Sequence, residues 1–313
     1  SVAFPENTAQ EWIELHNPDT NAVNLNGWRV SRGVDYAFGN VTLPAGGYLV
    51  VAANQAVFRA QYSNVTSVVG DWTGKLGNNG QTLKIEDAQG VEVDQVTYAT
   101  EGDWAVRRRG LSDLGTRGWE WFTGANGMGK SLELKNTRLA NEYGQNWGDS
   151  LVPNGTPGGR NSLATANIAP MILDVRHFPI MPRSTDLIWI TARLLDEQAT
   201  GLRARLYYRD AGSDTPPPFS SLPMFDDGEH SDGAPGDGIF GVSLAAMPHL
   251  TVVEFYVEAS DTATNLRTWP GPAAVASDQT GPATQSANAL FQVDDEAYSG
   301  DQPIYRMIMT EQE

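Results

Sequence analysis

Punctuation is what most constrains this chain. Short apolar or alternating runs recur along its length, each closed within a few residues by Gly, Asn, Asp or Pro. Glu11-Trp12-Ile13-Glu14-Leu15, Tyr48-Leu49-Val50-Val51-Ala52, Thr82-Leu83-Lys84-Ile85-Glu86 and Val91-Glu92-Val93-Asp94-Gln95-Val96 are examples. Runs of this length and period predict strands, because successive side chains on a strand face opposite ways. One stretch, Asn54 to Tyr62, reads as a helix: Asn54 is a capping residue, and Val57, Phe58 and Tyr62 fall at helical spacing. With 32 glycines and 18 prolines to break longer elements, the chain is expected to be all-β, as antiparallel sandwiches with one short helix.

At 313 residues the chain is long enough for two or three domains, and 40% hydrophobic content suffices for real cores. A boundary is expected in the turn-rich stretch from Val152 to Asn167, giving domains at 1–163 and 164–270. Residues 271–313 follow as a loose linker and a C-terminal strand. The net charge of −17 argues against non-specific nucleic-acid binding and against an anionic membrane surface. It is unevenly shared. Residues 1–163 carry 13 Lys plus Arg against 17 Asp plus Glu, and residues 164–313 carry 8 against 21. With no cysteine there is no disulfide, no thiolate nucleophile and no zinc site built on sulfur. No run approaches the roughly 20 apolar residues that span a bilayer, so direct membrane insertion is not expected. Ser1 to Gln10 lack the basic start and apolar stretch of a signal peptide, and a secreted protein would have lost one already.

Within residues 11–163 several motifs occur in series. Glu11-Trp12-Ile13-Glu14-Leu15-His16-Asn17 is followed by Leu25-Asn26-Gly27-Trp28 and by Leu43-Pro44-Ala45-Gly46-Gly47-Tyr48. Then come Leu76-Gly77-Asn78-Asn79-Gly80, Ser131-Leu132-Glu133-Leu134, Asn146-Trp147 and Gly155-Thr156-Pro157-Gly158. The series resembles the lamin-tail domain, an immunoglobulin-like sandwich found in nuclear lamins and many secreted bacterial proteins. Such domains usually open with an apolar strand ahead of the Glu-Trp-Ile-Glu-Leu strand, and Ser1 to Gln10 hold no comparable run. Residues 168–270 resemble a fibronectin type III-like sandwich. Pro303-Ile304-Tyr305-Arg306-Met307-Ile308-Met309 resembles the first strand of CotH-like, spore-coat-type kinase domains. The resemblance implies a secreted or cell-surface bacterial protein.

The acidic loop Asp226 to Gly241 offers Asp226, Asp227, Asp232 and Asp237 as oxygen ligands for Ca²⁺, without EF-hand spacing. The same Asp-Gly pairs also make tight turns with Asx-type bonds, and both readings stand. Trp119 and Trp121, two apart on a strand, are the candidate stacking pair for a ligand such as a glycan; the other tryptophans read as core anchors. Arg107-Arg108-Arg109 reads as a strand end paired with acids such as Glu101 and Asp103. Gly124 to Ser131 matches the phosphate-loop pattern literally, but strands are expected on both sides of it, which makes it a loop. The four histidines show no metal-hydrolase spacing, and no nucleophile elbow is present.

No catalytic residue is therefore assigned. The expected function is a non-catalytic surface or adhesion protein whose partners are other protein chains. Self-assembly into a filament would proceed by donation of the Ile304, Tyr305, Met307, Ile308 and Met309 strand to a sandwich short of one. Two other readings are an accessory region of a CotH-like kinase whose catalytic domain lies beyond Glu313, and a carbohydrate-binding module.

Overall fold

The computed structural model describes residues 7–213, 215–296 and 307–308. It is mostly strand, with one α-helix among the described residues, as the sequence led us to expect. The chain forms two compact units that do not follow a single break in sequence. The first comprises residues 1–106 and 121–166, the second residues 107–120 and 167–313.

In the first unit, Trp12–His16 pairs antiparallel with Tyr48–Ala52, which pairs parallel with Val68–Gly70. A five-stranded sheet runs Glu92–Tyr98, Gln81–Glu86, Arg29–Arg32, Val34–Ala37 and Thr73–Gly74. Leu25, Val30, Val34, Phe38, Leu43, Leu49, Val51 and Trp72 form the core, with Ile13, Leu15 and Ile85 packed on it. The Tyr48–Ala52 strand is buried on both faces, which explains its unbroken apolar run. Its second face, Val50 and Ala52, packs with Phe58 of the Gln55–Gln61 helix and with Trp12 and Tyr62. Asn54 caps that helix as expected, accepting from the Val57 N–H at 3.0 Å.

On the first strand Ile13 and Leu15 face the main core while Trp12 packs in the second cluster. Residues 12 and 14 therefore share a face by strict alternation, which sets the Glu14 carboxyl on the Trp12 side. Gly70 sits at φ +149, where an added Cβ would stand 2.1 Å from the Ala52 carbonyl oxygen. The parallel strands approach too closely there for any side chain.

In the second unit, Met171–Phe178, Ile188–Leu195 and Ile239–Leu244 form one sheet. Facing it are Ser220–Met224, Arg203–Asp210 and Val252–Ser260. The far side of Val252–Ser260 pairs with Leu266–Trp269 along one half and with Ala289–Gln292 along the other. Strict alternation along Ile188–Leu195 buries Ile188, Ile190, Ala192 and Leu194 against Leu206, Val253, Phe255, Val257 and Phe291. Residues 107–120 join this unit through backbone bonds. Arg109 N–H donates to the Ala274 carbonyl (3.0 Å) and Ala274 N–H to the Arg107 carbonyl (2.8 Å). The Arg117 guanidinium adds a two-pronged ion pair with Asp278, at 2.9 and 3.0 Å.

Candidate functional site

The acidic loop is a scaffold of carboxylates bonded to backbone amides. Asp226 Oδ1 accepts from Gly236 N–H (2.8 Å) and Asp237 N–H (3.2 Å), and its Oδ2 from Gly238 N–H (3.0 Å). Asp232, with no exposed surface, accepts from Asp227 N–H (2.7 Å) and Gly228 N–H (2.9 Å) on Oδ2, and from His230 N–H (2.8 Å) on Oδ1. Asp237 accepts from Ala234 and Ile239 N–H groups, both at 2.9 Å. Asp227 Oδ1 accepts from Glu229 N–H (2.9 Å) and lies 2.8 Å from His230 Nδ1. These are the side-chain-to-backbone turns that Asp-Gly sequences favour. The His230 bond, with the Glu229 amide, holds Asp227 below the usual carboxylate range. Burial alone would raise Asp232, but its three amide donors outweigh burial and leave it depressed. Among the described residues, no three His, Asp or Glu side chains are placed to hold a metal ion together.

The two tryptophans have different surroundings. Trp119 lies under the Arg109 guanidinium, whose carbon is 3.7 Å from the ring centroid, and its Nε1 is buried without a hydrogen-bond partner. One ring face is thus taken by a cation. Trp121 is 39% exposed. The arginine run and its neighbouring acids have the following contacts. Arg108 pairs with Glu120 at 2.9 Å, Arg109 covers Trp119, and Asp103 accepts from Gln145 Nε2 at 2.8 Å.

The glycine-rich stretch Gly124 to Ser131 joins the strands Trp119–Phe122 and Leu132–Leu134, with no helix between them. Its amides are occupied from within: Asp149 accepts from Gly124 N–H (2.6 Å), Ala125 N–H (3.0 Å) and Thr123 Oγ1 (2.7 Å). A carboxylate of the chain stands where a phosphate loop would place its ligand. Of the donor-strand residues, Ile304, Tyr305 and Met309 lie outside the described residues; Met307 is exposed and Ile308 half-buried.

Sequence reasoning missed the hairpin that joins Met171–Phe178 to Ile188–Leu195. Phe178, Ile180, Met181 and Leu187 are 67, 79, 42 and 48% exposed. Their backbone is well held. Ser184 donates from N–H (2.7 Å) and Oγ (2.6 Å) to Asp295, Arg183 N–H donates to Asp186, and Asp294 N–H donates to the Pro182 carbonyl. Four large apolar side chains on an ordered turn form a presented surface. The available signal was Phe178-Pro179-Ile180-Met181-Pro182, an apolar run whose prolines forbid a ladder strand.

In the first unit, the two acids of Glu11-Trp12-Ile13-Glu14-Leu15 each cap a distant loop. Glu11 Oε2 accepts from Leu76 N–H at 2.9 Å, and Glu14 Oε2 accepts from Gly158 N–H. Glu133, 3% exposed, accepts from Ser131, Thr156 and Ser162 hydroxyls and from Leu163 N–H. Burial pushes Glu14 up to about 7; the Gly158 amide pulls it down and the Glu133 charge pushes it further up. The sequence motifs are thus contacts that lace the sandwich together, in the case of Glu14 and Gly158 across 144 positions.

No curated protein matches the chain. Residues 2–100, which include the strand Trp12–His16 and most of this sandwich, match the family model described as Lamin Tail Domain, an immunoglobulin-like fold.

Proposed function

We propose that this chain is a non-catalytic, secreted or cell-surface protein that works by binding other protein chains through its β-sandwich units. The observation that carries this reading is the exposed apolar hairpin Phe178 to Leu187, fixed at Arg183 and Ser184 by the carboxylates of Asp186 and Asp295. A surface of this kind loses little conformational entropy on association, and burying its apolar side chains supplies the driving force. The match to an immunoglobulin-like family supports an interaction role, since such folds act through surfaces and edges. Much of the polar chemistry is also spent internally, as with Asp149, Asp226, Asp232 and Glu133.

Self-association is the form of this reading tested first. In sedimentation equilibrium the wild-type chain is expected to associate at concentrations where the double variant Phe178→Ser/Ile180→Asp remains monomeric. A wild type that stays monomeric up to 100-fold dilution series maxima of about 1 mM would remove self-association. Strand donation is the second form. Among the described residues, the outer edge of Trp12–His16 carries no paired strand, which leaves it a place for an added one. Deleting residues 304–309 should then abolish polymer growth, and polymers of unchanged length would dispose of donation.

A further inference from the structure

At one end of the second unit three segments bring acids together. Asp196 and Glu197 follow the strand Ile188–Leu195. Asp261 and Asn265 form the turn between Val252–Ser260 and Leu266–Trp269, and Asn167 and Ile168 precede Met171–Phe178. Asp261 is 6% exposed, and its oxygens accept from Asn265 N–H and Asn265 Nδ2, both at 2.8 Å. Asn265 Nδ2 also donates to Asn167 Oδ1. Glu197 Oε1 accepts from Ile168 N–H at 3.0 Å.

Asp196 differs from these. It is 9% exposed, and its Oδ1 accepts from Gln198 N–H at 2.9 Å, while its Oδ2 is buried with no donor. The charged groups that act on it are Glu197 and Asp261, both of its own sign, and the Glu197 side chain lies within hydrogen-bond reach of it. A buried carboxylate oxygen without a donor, set among further carboxylates, is a costly arrangement unless a cation or a proton neutralises it.

We propose that Asp196 and Glu197 hold a calcium ion, with Asp261 adding negative charge and Asn167 and water completing the oxygen shell. Calcium suits such a site because it accepts carboxylate, amide and water oxygens in variable number. This site is separate from the acidic loop at 226–238, where each Asp already holds backbone amides. It is also independent of the partner-binding reading.

The test is calorimetric titration of CaCl₂ into the full chain at pH 7.5, for wild type, Asp196→Asn, Asp261→Asn and Asp226→Asn. One ion should bind with a Kd on the order of 10⁻⁴–10⁻³ M, as in extracellular modules. Saturating calcium should raise the Tm of the second unit by about 5 °C. Asp196→Asn should weaken binding at least tenfold and Asp261→Asn several-fold, while Asp226→Asn leaves it unchanged. If Asp196→Asn fails to fold, the Asp261→Asn and Asp226→Asn pair decides. Absence of both heat and Tm shift in the wild type would overturn the proposal, leaving a shared proton as the neutralising partner. Binding lost in Asp226→Asn and kept in Asp196→Asn would overturn it equally, by moving the ion to the acidic loop.

Discussion

Replacing Glu14 by Gln is expected to stabilise the first unit at pH 8 by on the order of 2 kcal/mol, and to change little at pH 5. The folded-state value of about 7 lies above the ordinary 4.5, so between them the native state holds a proton that the unfolded chain releases. Stability from this group is thus complete below the unfolded value and is lost as pH rises through about 7. The groups around Glu14 reinforce the sign. Glu133 repels it, Tyr48 is itself raised by burial and by Glu14, and Arg160 acts on Tyr48 in the opposite direction. His16 stacks on Tyr48 with ring centroids 4.5 Å apart, and burial lowers its titration. Gln keeps an acceptor for the Gly158 N–H and removes the charge. Urea melts of both proteins at pH 5 and pH 8 check this. An equal loss of stability for the variant at both pH values would show that the carboxylate is needed in its charged form.

Asp232→Ala should cost the second unit about 3 kcal/mol, because three part-buried backbone N–H groups lose their acceptor at once. The pH dependence has the opposite sign to that of Glu14. Asp232 is depressed in the folded state, so its contribution is present above the unfolded value of about 3.9 and is lost as pH falls through the folded one. Wild type should therefore lose stability below about pH 4 more steeply than the variant. Packing adds to the effect. The loop backbone lies so close to Gly241 that an added Cβ there would stand 2.1 Å from the His230 carbonyl oxygen. A melting temperature unchanged by Asp232→Ala would mean that the amides find other partners.

These two residues also show what a sequence discloses. The strand pattern was legible because alternation is local: Ile188–Leu195 buries every second residue as written. The helix was legible for the same reason, with Asn54 naming its own start. The turn role of the Asp-Gly loop could be read from neighbouring residues, although which oxygen takes which amide could not. Locally, Glu14 is only the acid between Ile13 and Leu15 in an alternating strand. Its chemistry is set by Glu133 and Gly158, more than a hundred positions away. Asp196 escaped notice similarly, since Asp261 is supplied by another turn. For Arg107 to Arg109 the sequence suggests the nearest acids along the chain, and the fold also brings Glu120 to Arg108 across a hairpin.

The hairpin of residues 107–120 has a consequence for how the protein is made. Arg117 and Asp278 stand 161 positions apart, and the Ala274 backbone that receives Arg107 and Arg109 is slightly more remote still. A ribosome adding about 5–20 residues per second reaches that stretch roughly 10–30 seconds after the hairpin emerges. During that interval the hairpin has no docking place, and a nascent chain cut short before residue 273 would never provide one. Completion of the second sandwich therefore waits on synthesis of residues 273–292, long after its 107–120 piece has been made.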